Sequence, residues 1–511
     1  MHKLKAFTTR LAALCLAAVL TAGSTSVGFH SHAEETTSST GSTASSSAAG
    51  EIADVGDKSA LQIAIDAGND DLTEAYQPKS AIVVEPNSGR VLFSQNANAK
   101  HVPASLTKLM SLYLIYQAMR DGKFDENTKV AANDKYIDIA GRHSLSNHTI
   151  AAGQEFTVRE LIDALIVPSS AAATLMLADL VSPDDVEGFT KMMNETAARL
   201  GMVNTHYENP VGAPNSELMP YIAANRDPNG DNYTTAADYA ILASRFVTEF
   251  PEVLQHTSSG SIVLSVGTDQ EASYSGHNYS LPGQGLHIAG MDGFKTGSSP
   301  AAGYNVVATA KRDSTRLVAV VLGVSSWVDN KAEYNRARIA NALIEDAFSK
   351  YEYRVVLSKD NHEIEGKEIT TAGDLWFCGP KGSDPTLTLT SDKVTVSESG
   401  TYLAGYSAPA TAFLATAGLL EQQEKSNKSP TLFQRVYAFF KYVLIAILIL
   451  ALLFGLFIAA ILVRNRIILA KRRRRRAGKL KPKQHPGAKK PANPKLPIHE
   501  HHISKKDDFL D

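Results

Sequence analysis

Ser105 and Lys108 stand three residues apart in Pro103-Ala104-Ser105-Leu106-Thr107-Lys108. If this segment is helical, that spacing puts both side chains on one face. A hydroxyl is a weak nucleophile until a base takes its proton. A lysine amine held in a dry, cation-lined cleft can have its pKa lowered enough to be that base. At the start of a helix the Ser105 N–H is also free to face a developing oxyanion. Far along the chain, Lys295-Thr296-Gly297 follows Met291-Asp292-Gly293-Phe294. Lys and Thr on a strand edge can bind a carboxylate through charge and hydroxyl together, and the glycine lets a peptide-like substrate approach the backbone. Each pattern alone is common, and a surface serine beside a solvated lysine is the plain alternative.

These groups work only if a helix and a strand hold them together. A helix is expected from about Pro103, with Pro in its first turn, to Gly122, which suits a left-handed cap. Before it, Ala81-Ile82-Val83-Val84 and Arg90-Val91-Leu92-Phe93 flank the turn Glu85 to Gly89, a β-hairpin signal. Residues 130–255 have helical texture. Strand patterns return near 291, with Tyr304 to Ala310 and Leu317 to Leu322 joined by a polar turn, and a helix from about Lys331 to Lys350 follows. Strands at both ends of this stretch with helices between them predict one antiparallel sheet flanked by helices, an α/β (α+β) domain over residues 72–352. Short β-rich runs with alternation such as Lys393-Val394-Thr395-Val396 predict a small all-β domain over 353–408.

The order S-x-x-K and then K-T-G, on a helix and then on a strand, resembles the motif set of the penicillin-recognising serine enzymes. Gly89 to Phe93, Pro103 to Met110, Leu200-Gly201-Met202 with Asn204-Thr205-His206, and Asp292 to Gly297 with Ala302 to Asn305 resemble the low-molecular-mass D-alanyl-D-alanine carboxypeptidases, peptidase family S11, over about residues 75–350. That resemblance implies a β-lactamase/transpeptidase-like fold and no metal or organic cofactor. It implies that Ser105 attacks the penultimate D-alanine carbonyl of a peptidoglycan stem peptide ending in D-Ala-D-Ala, with Lys108 as proton acceptor. It also implies that Lys295 and Thr296, with Gly297, bind the terminal carboxylate. The N–H groups of Ser105 and Ser298 would form the oxyanion hole, and β-lactams would trap Ser105. The family's third motif, S-x-N, falls on Ser169-Ser170-Ala171. Ser169 matches and would pass protons between Lys108 and the leaving amine. Ala171 stands where the family has Asn, and a methyl group can neither bind the substrate backbone nor orient the lysine. A weakly catalytic wall-binding or scaffolding protein of the same fold is therefore a second reading. A class A β-lactamase is a third, without the S-D-N and E-x-x-L-N motifs expected of one.

The remainder of the 511 residues places this domain. Residues 464–511 hold 16 of the 51 Lys and Arg but 4 of the 53 Asp and Glu, leaving 35 basic and 49 acidic residues elsewhere. A basic tail alone would suit nucleic acid. Immediately before it, however, Tyr442 to Val463 are 22 uncharged, overwhelmingly apolar residues, about 33 Å as a helix and enough to span a bilayer. The expectation is a single transmembrane helix at 442–463, a basic cytoplasmic tail at 464–511, a linker at 409–441 and no nucleic-acid partner. At the other end, Lys3, Lys5 and Arg10 precede an apolar stretch and small residues, a signal peptide over 1–33, followed by a Ser/Thr-rich linker over 34–71. The main domain then lies outside the cell membrane. Cys15 lies in the signal, so Cys378 has no intramolecular partner.

Overall fold

A computed structural model describes residues 51–406, 411–414, Arg464 and Arg466. The expected hairpin forms between β1 (Ser80–Glu85) and β2 (Arg90–Gln95). The Glu85 carboxylate, folded back into the turn, accepts from the N–H groups of Asn87 and Ser88 and from both their side chains. Two short ribbons decorate the helical region, β3 (Lys129–Ala131) with β4 (Glu155–Thr157) and β5 (Ser261–Leu264) with β6 (Ala272–Ser275). The chain then returns as β7 (Met291–Ser299), β8 (Gly303–Arg312) and β9 (Thr315–Val324).

The main sheet has the antiparallel order β2-β1-β9-β8-β7. Strands from the two ends of the domain pair directly, with Ile82 opposite Val320 and Val307 opposite Val320 on the other side. Alternation along the strands loads both faces. Ile82, Val84, Val318, Val320 and Leu322 pack on one side with helices Lys108–Arg120, Val158–Ile166, Ala171–Val181 and Ala236–Glu249. Ala81, Val83, Ala319 and Val321 pack on the other with helix Ala332–Lys350. Apolar residues at every second position on a sheet covered on both faces give three layers.

Two boundaries differ from the sequence expectation. The proposed linker 34–71 is folded in its second half: Ile52 is buried, and Ser59 caps helix Ala60–Asp66 by accepting from the Gln62 N–H. Ala60, Leu61, Ile63 and Ala64 form one apolar helix face, which packs into the core beneath helix Ala332–Lys350. This face is only four residues wide and follows a Ser/Thr-rich run, which hides it from a compositional reading. The small β region also extends past 408. It comprises β10 (Tyr351–Leu357), β11 (Asn361–Ile364), β12 (Lys367–Thr370), β13 (Leu375–Pro380), β14 (Leu387–Leu389), β15 (Lys393–Val396) and β16 (Thr411–Phe413). β16 pairs with β15 and buries Ala412 beside Val394 and Val396 in a small core of its own. A strap before it pairs back to the hairpin, where the Val91 N–H donates to the Thr401 carbonyl and the Leu403 N–H to that of Gly89.

The expected signal, the Ser/Thr-rich run to residue 50 and the apolar segment 442–463 lie outside the described residues. Among the described residues no helix is long and apolar enough to cross a membrane.

Candidate active site

Ser105 lies on a 3-10 turn, Ala104–Thr107, that runs straight into helix Lys108–Arg120. Ala104 has φ +49°, a backbone conformation that a non-glycine residue holds only when its surroundings impose it. Those surroundings are visible. Asn305 of β8 donates to the carbonyls of Val102 and Pro103 and accepts from the Gly323 N–H, tying the start of the turn to the sheet. On the other side, Gly212 sits at φ +81°, where a Cβ would come 2.0 Å from the Ala104 carbonyl oxygen. The Asn209 side-chain oxygen holds that loop by accepting from the N–H groups of Val211 and Gly212. Asn232 clamps the same loop to the helix through the Thr107 hydroxyl and the Asn209 carbonyl.

The Lys108 ammonium lies 2.9 Å from Ser105 Oγ and 2.9 Å from the Val211 carbonyl oxygen. It is 2% exposed and has no carboxylate partner among the described residues. Burial lowers its pKa to about 7, because a charge taken out of water without a counter-charge favours the neutral amine. Close to neutral pH a large fraction of Lys108 can therefore accept the serine proton.

β7 brings the second motif against this turn. A Cβ on Gly297 would lie 2.7 Å from the Pro103 carbonyl oxygen and 2.9 Å from the Leu106 nitrogen, so the protein's own turn requires glycine there. Lys295 is buried, with its ammonium donating to the Thr296 carbonyl. Burial holds its pKa well below the usual lysine value, and the charges of Lys108 and Arg336 push it further in the same direction. Thr296 and Ser298 are half-buried along the same strand.

Arg336 is the residue that sequence reasoning missed. It is 1% exposed and donates to the carbonyls of Gly297 and His277, both at 3.3 Å. Glu333, which pairs with His277 at 2.8 Å, is its nearest carboxylate at 3.5 Å. A signal existed: Ala332, Arg336, Ile339, Ala340 and Leu343 form the buried stripe of their helix, and an arginine at a stripe position asks for a reason. Lys108, Lys295 and Arg336 thus bring three basic groups together where Glu333 is the one carboxylate near them among the described residues, and an anionic ligand group would favour their charged forms.

The third motif is less complete. Ser169 is nearly buried at φ +59°, and its hydroxyl has no hydrogen-bond partner among the described residues. The structure therefore brings Ser105, Lys108 and the Lys295 strand together but forms no hydrogen bond between Ser169 and Lys108. Ser170 caps helix Ala171–Val181 by accepting from the Ala173 N–H, and also meets His148 Nδ1 at 2.8 Å. Ala171 is buried. An amide does approach this helix end, Asn147 from a neighbouring loop, but it accepts from the Ala172 N–H and donates to the Ile139 carbonyl. Both its ends are engaged in holding the loop.

Comparison with known proteins gives this arrangement a family. The D-alanyl-D-alanine carboxypeptidase (peptidase S11) family model matches residues 68–326, and a model for a domain of unknown function matches 353–413. The chain is 29% identical over 320 residues to the D-alanyl-D-alanine carboxypeptidase DacF of Bacillus subtilis, covering 61% of this chain and 74% of that protein. It is 30% identical over 262 residues to DacA of Escherichia coli, covering 50% of this chain and 58% of that protein. Among solved structures, a peptidoglycan synthesis regulatory factor (PBP3) of Streptococcus pneumoniae superposes with a TM-score of 0.59 at 24% identity, covering 67% of this chain and 99% of that one. Penicillin-binding protein 5 of Haemophilus influenzae does so with 0.52 at 23%, covering 66% and 96%. These likenesses give a mixed α/β penicillin-binding-protein fold with an added small β domain. With the family model matching half of its length, the chain belongs to the D-alanyl-D-alanine carboxypeptidase family of serine peptidases, peptidase S11.

Proposed function

We propose that the chain is a serine D,D-carboxypeptidase acting on peptidoglycan stem peptides that end in D-Ala-D-Ala. The observation that carries this reading is Lys108, buried without a counter-charge, with a pKa near 7 and its amine 2.9 Å from Ser105 Oγ. In the forward step Lys108 takes the Ser105 proton as Oγ attacks the penultimate D-alanine carbonyl. The C–N bond breaks, the terminal D-alanine leaves with a proton passed through Ser169, and an ester remains on Ser105. Water then cleaves that ester, its proton returning through the same amine. The Ser105 and Ser298 N–H groups hold the oxyanion. Lys295, with Thr296, receives the terminal carboxylate, and Arg336 adds its charge from behind the strand. β-Lactams present the same carbonyl and carboxylate and trap Ser105 as a stable ester.

Intact-protein mass spectrometry tests this. Benzylpenicillin is expected to add one equivalent to wild type and none to Ser105→Ala, and a D-Ala-D-Ala peptide to release free D-alanine only with wild type. Wild type that neither takes up penicillin nor releases D-alanine sinks the reading. Ala171 and the unpartnered Ser169 hydroxyl favour a second reading, wall binding with slow turnover. Its mark is full acylation by penicillin with almost no D-alanine release.

In this reading the main domain works outside the membrane, tethered by a helix at 442–463 with the basic tail inside. Hydrophobic length and flanking charge support it. Protease treatment of intact cells is expected to remove the main domain and spare a C-terminal tag; loss of the tag first would reverse the topology.

A further inference from the structure

A cavity of about 330 Å3 lies between the β1–β2 turn, Arg245 of helix Ala236–Glu249 and the small β domain. It belongs to the opposite edge of the main sheet from β7. Four strand spacings separate those edges, roughly 19 Å, so this is not the Ser105 cleft. Its floor is aromatic: Tyr353 and Trp376 stack at 5.1 Å with 20° between their planes, and Trp376 remains 39% exposed. Tyr402 and Tyr406, on the strap, line it further.

The polar lining sorts by charge. Asn87 and Ser88 turn their side chains to Glu85, which is buried beneath the turn and raised in pKa by that burial. Among the described residues the lining contains no carboxylate. The Arg245 guanidinium lies 4.9 Å from the Tyr406 ring centre, makes one long contact to the Gly405 carbonyl at 3.4 Å, and has no ion pair among the described residues. A cationic ligand is disfavoured. The cavity has the size of a small-molecule site and lacks the area that a stable protein interface needs, about 800 Å2 on each partner. A stacked aromatic floor with hydroxyls and one guanidinium at its sides matches a flat, uncharged ring that is apolar on its faces and polar at its edge.

We propose that this cavity binds the N-acetylated sugar backbone of the cell-wall polymer, one ring stacking on Trp376 while Arg245 donates to its acetamido or hydroxyl oxygens. The identity of the polymer rests on the carboxypeptidase reading. The site then holds the glycan while a stem peptide reaches Ser105, making the β domain a second point of contact with the same substrate.

Titration calorimetry with N-acetylglucosamine oligomers, whose rings carry the acetamido group without the lactyl carboxylate that peptide removal exposes on N-acetylmuramic acid, tests it on the full-length protein. Wild type is expected to bind saturably. Trp376→Ala should weaken binding tenfold or more and Arg245→Gln about fivefold. Both should keep wild-type penicillin acylation and D-alanine release from a short soluble peptide. If Trp376→Ala melts early, Arg245→Gln carries the test. Penicillin-reactive wild type that gives no saturable binding overturns the proposal, as do variants that bind as wild type does or a glutamate-rich peptide that binds tighter than the glycan. Wild type that binds glycan but fails to acylate would remove the carboxypeptidase reading and leave the sugar site standing.

Discussion

The two walls of the Ser105 cleft are built to different standards. On the β7 side the strand is anchored: buried Arg336 donates to the Gly297 carbonyl, half-buried Arg316 of β9 makes two bonds to Asp292 at 3.0 and 2.8 Å, and Asn305 ties the sheet to the serine turn. On the Ser169 side a buried hydroxyl lacks a partner among the described residues, and a methyl group occupies the position where the family resemblance places an amide. An unpaired buried hydroxyl costs about 1–3 kcal/mol, and such costs persist where function requires them. The contrast teaches that the wall to which the proposed mechanism assigns the carboxylate is fully hydrogen-bonded, while the wall to which it assigns proton transfer and peptide alignment is reduced.

The largest expected effect tests whether the two walls share one engine. Lys108→Met should abolish both penicillin acylation and D-alanine release, by about 10,000-fold or more, while Lys295→Met should leave slow acylation by ligands that lack a carboxylate. Residual activity in Lys108→Met within tenfold of wild type would remove the base from this amine. Next, Arg336→Met should raise KM for D-Ala-D-Ala peptides about 30-fold, the value of a charged contact of about 2 kcal/mol, with kcat changed less. An equal fall in kcat would show that Arg336 acts on the serine turn rather than on the carboxylate wall.

Ala171→Asn repairs the reduced wall. D-alanine release should rise about tenfold at unchanged penicillin affinity, in keeping with one restored amide contact of about 1–3 kcal/mol. No change, with the variant folded, would mean the peptide is aligned elsewhere. The smallest effect is in pH. Because the neutral amine is the reactive form, kcat/KM should rise with pH, with its inflection near 7 where Lys108 loses its proton, and level off above it. A profile that falls through pH 7 would assign the proton transfer to another group.

What could be read from sequence followed the range of each interaction. The β1–β2 hairpin, the Ser105 and Lys108 pairing and the apolar strands depend on neighbours within a few residues, and their pattern shows in the chain. The Val211 carbonyl that steadies Lys108 stands 103 positions away, and no spacing rule reaches it. Arg336 was written in the stripe of its helix but could be understood only once Gly297 lay beside it. Helix Ala60–Asp66 was missed for the opposite reason, since four small and medium apolar residues acquire meaning only when a second helix covers them.

Helix Ala332–Lys350 has one more consequence. Its first turns hold the β7 strand through Arg336, and its last residue passes directly into β10 with no intervening link. From Arg336 to Tyr351 it is a rod of about 22 Å, stiffened by its buried stripe against the sheet. One unbroken helix therefore joins the start of the β domain to the Gly297 carbonyl, with no loop between them.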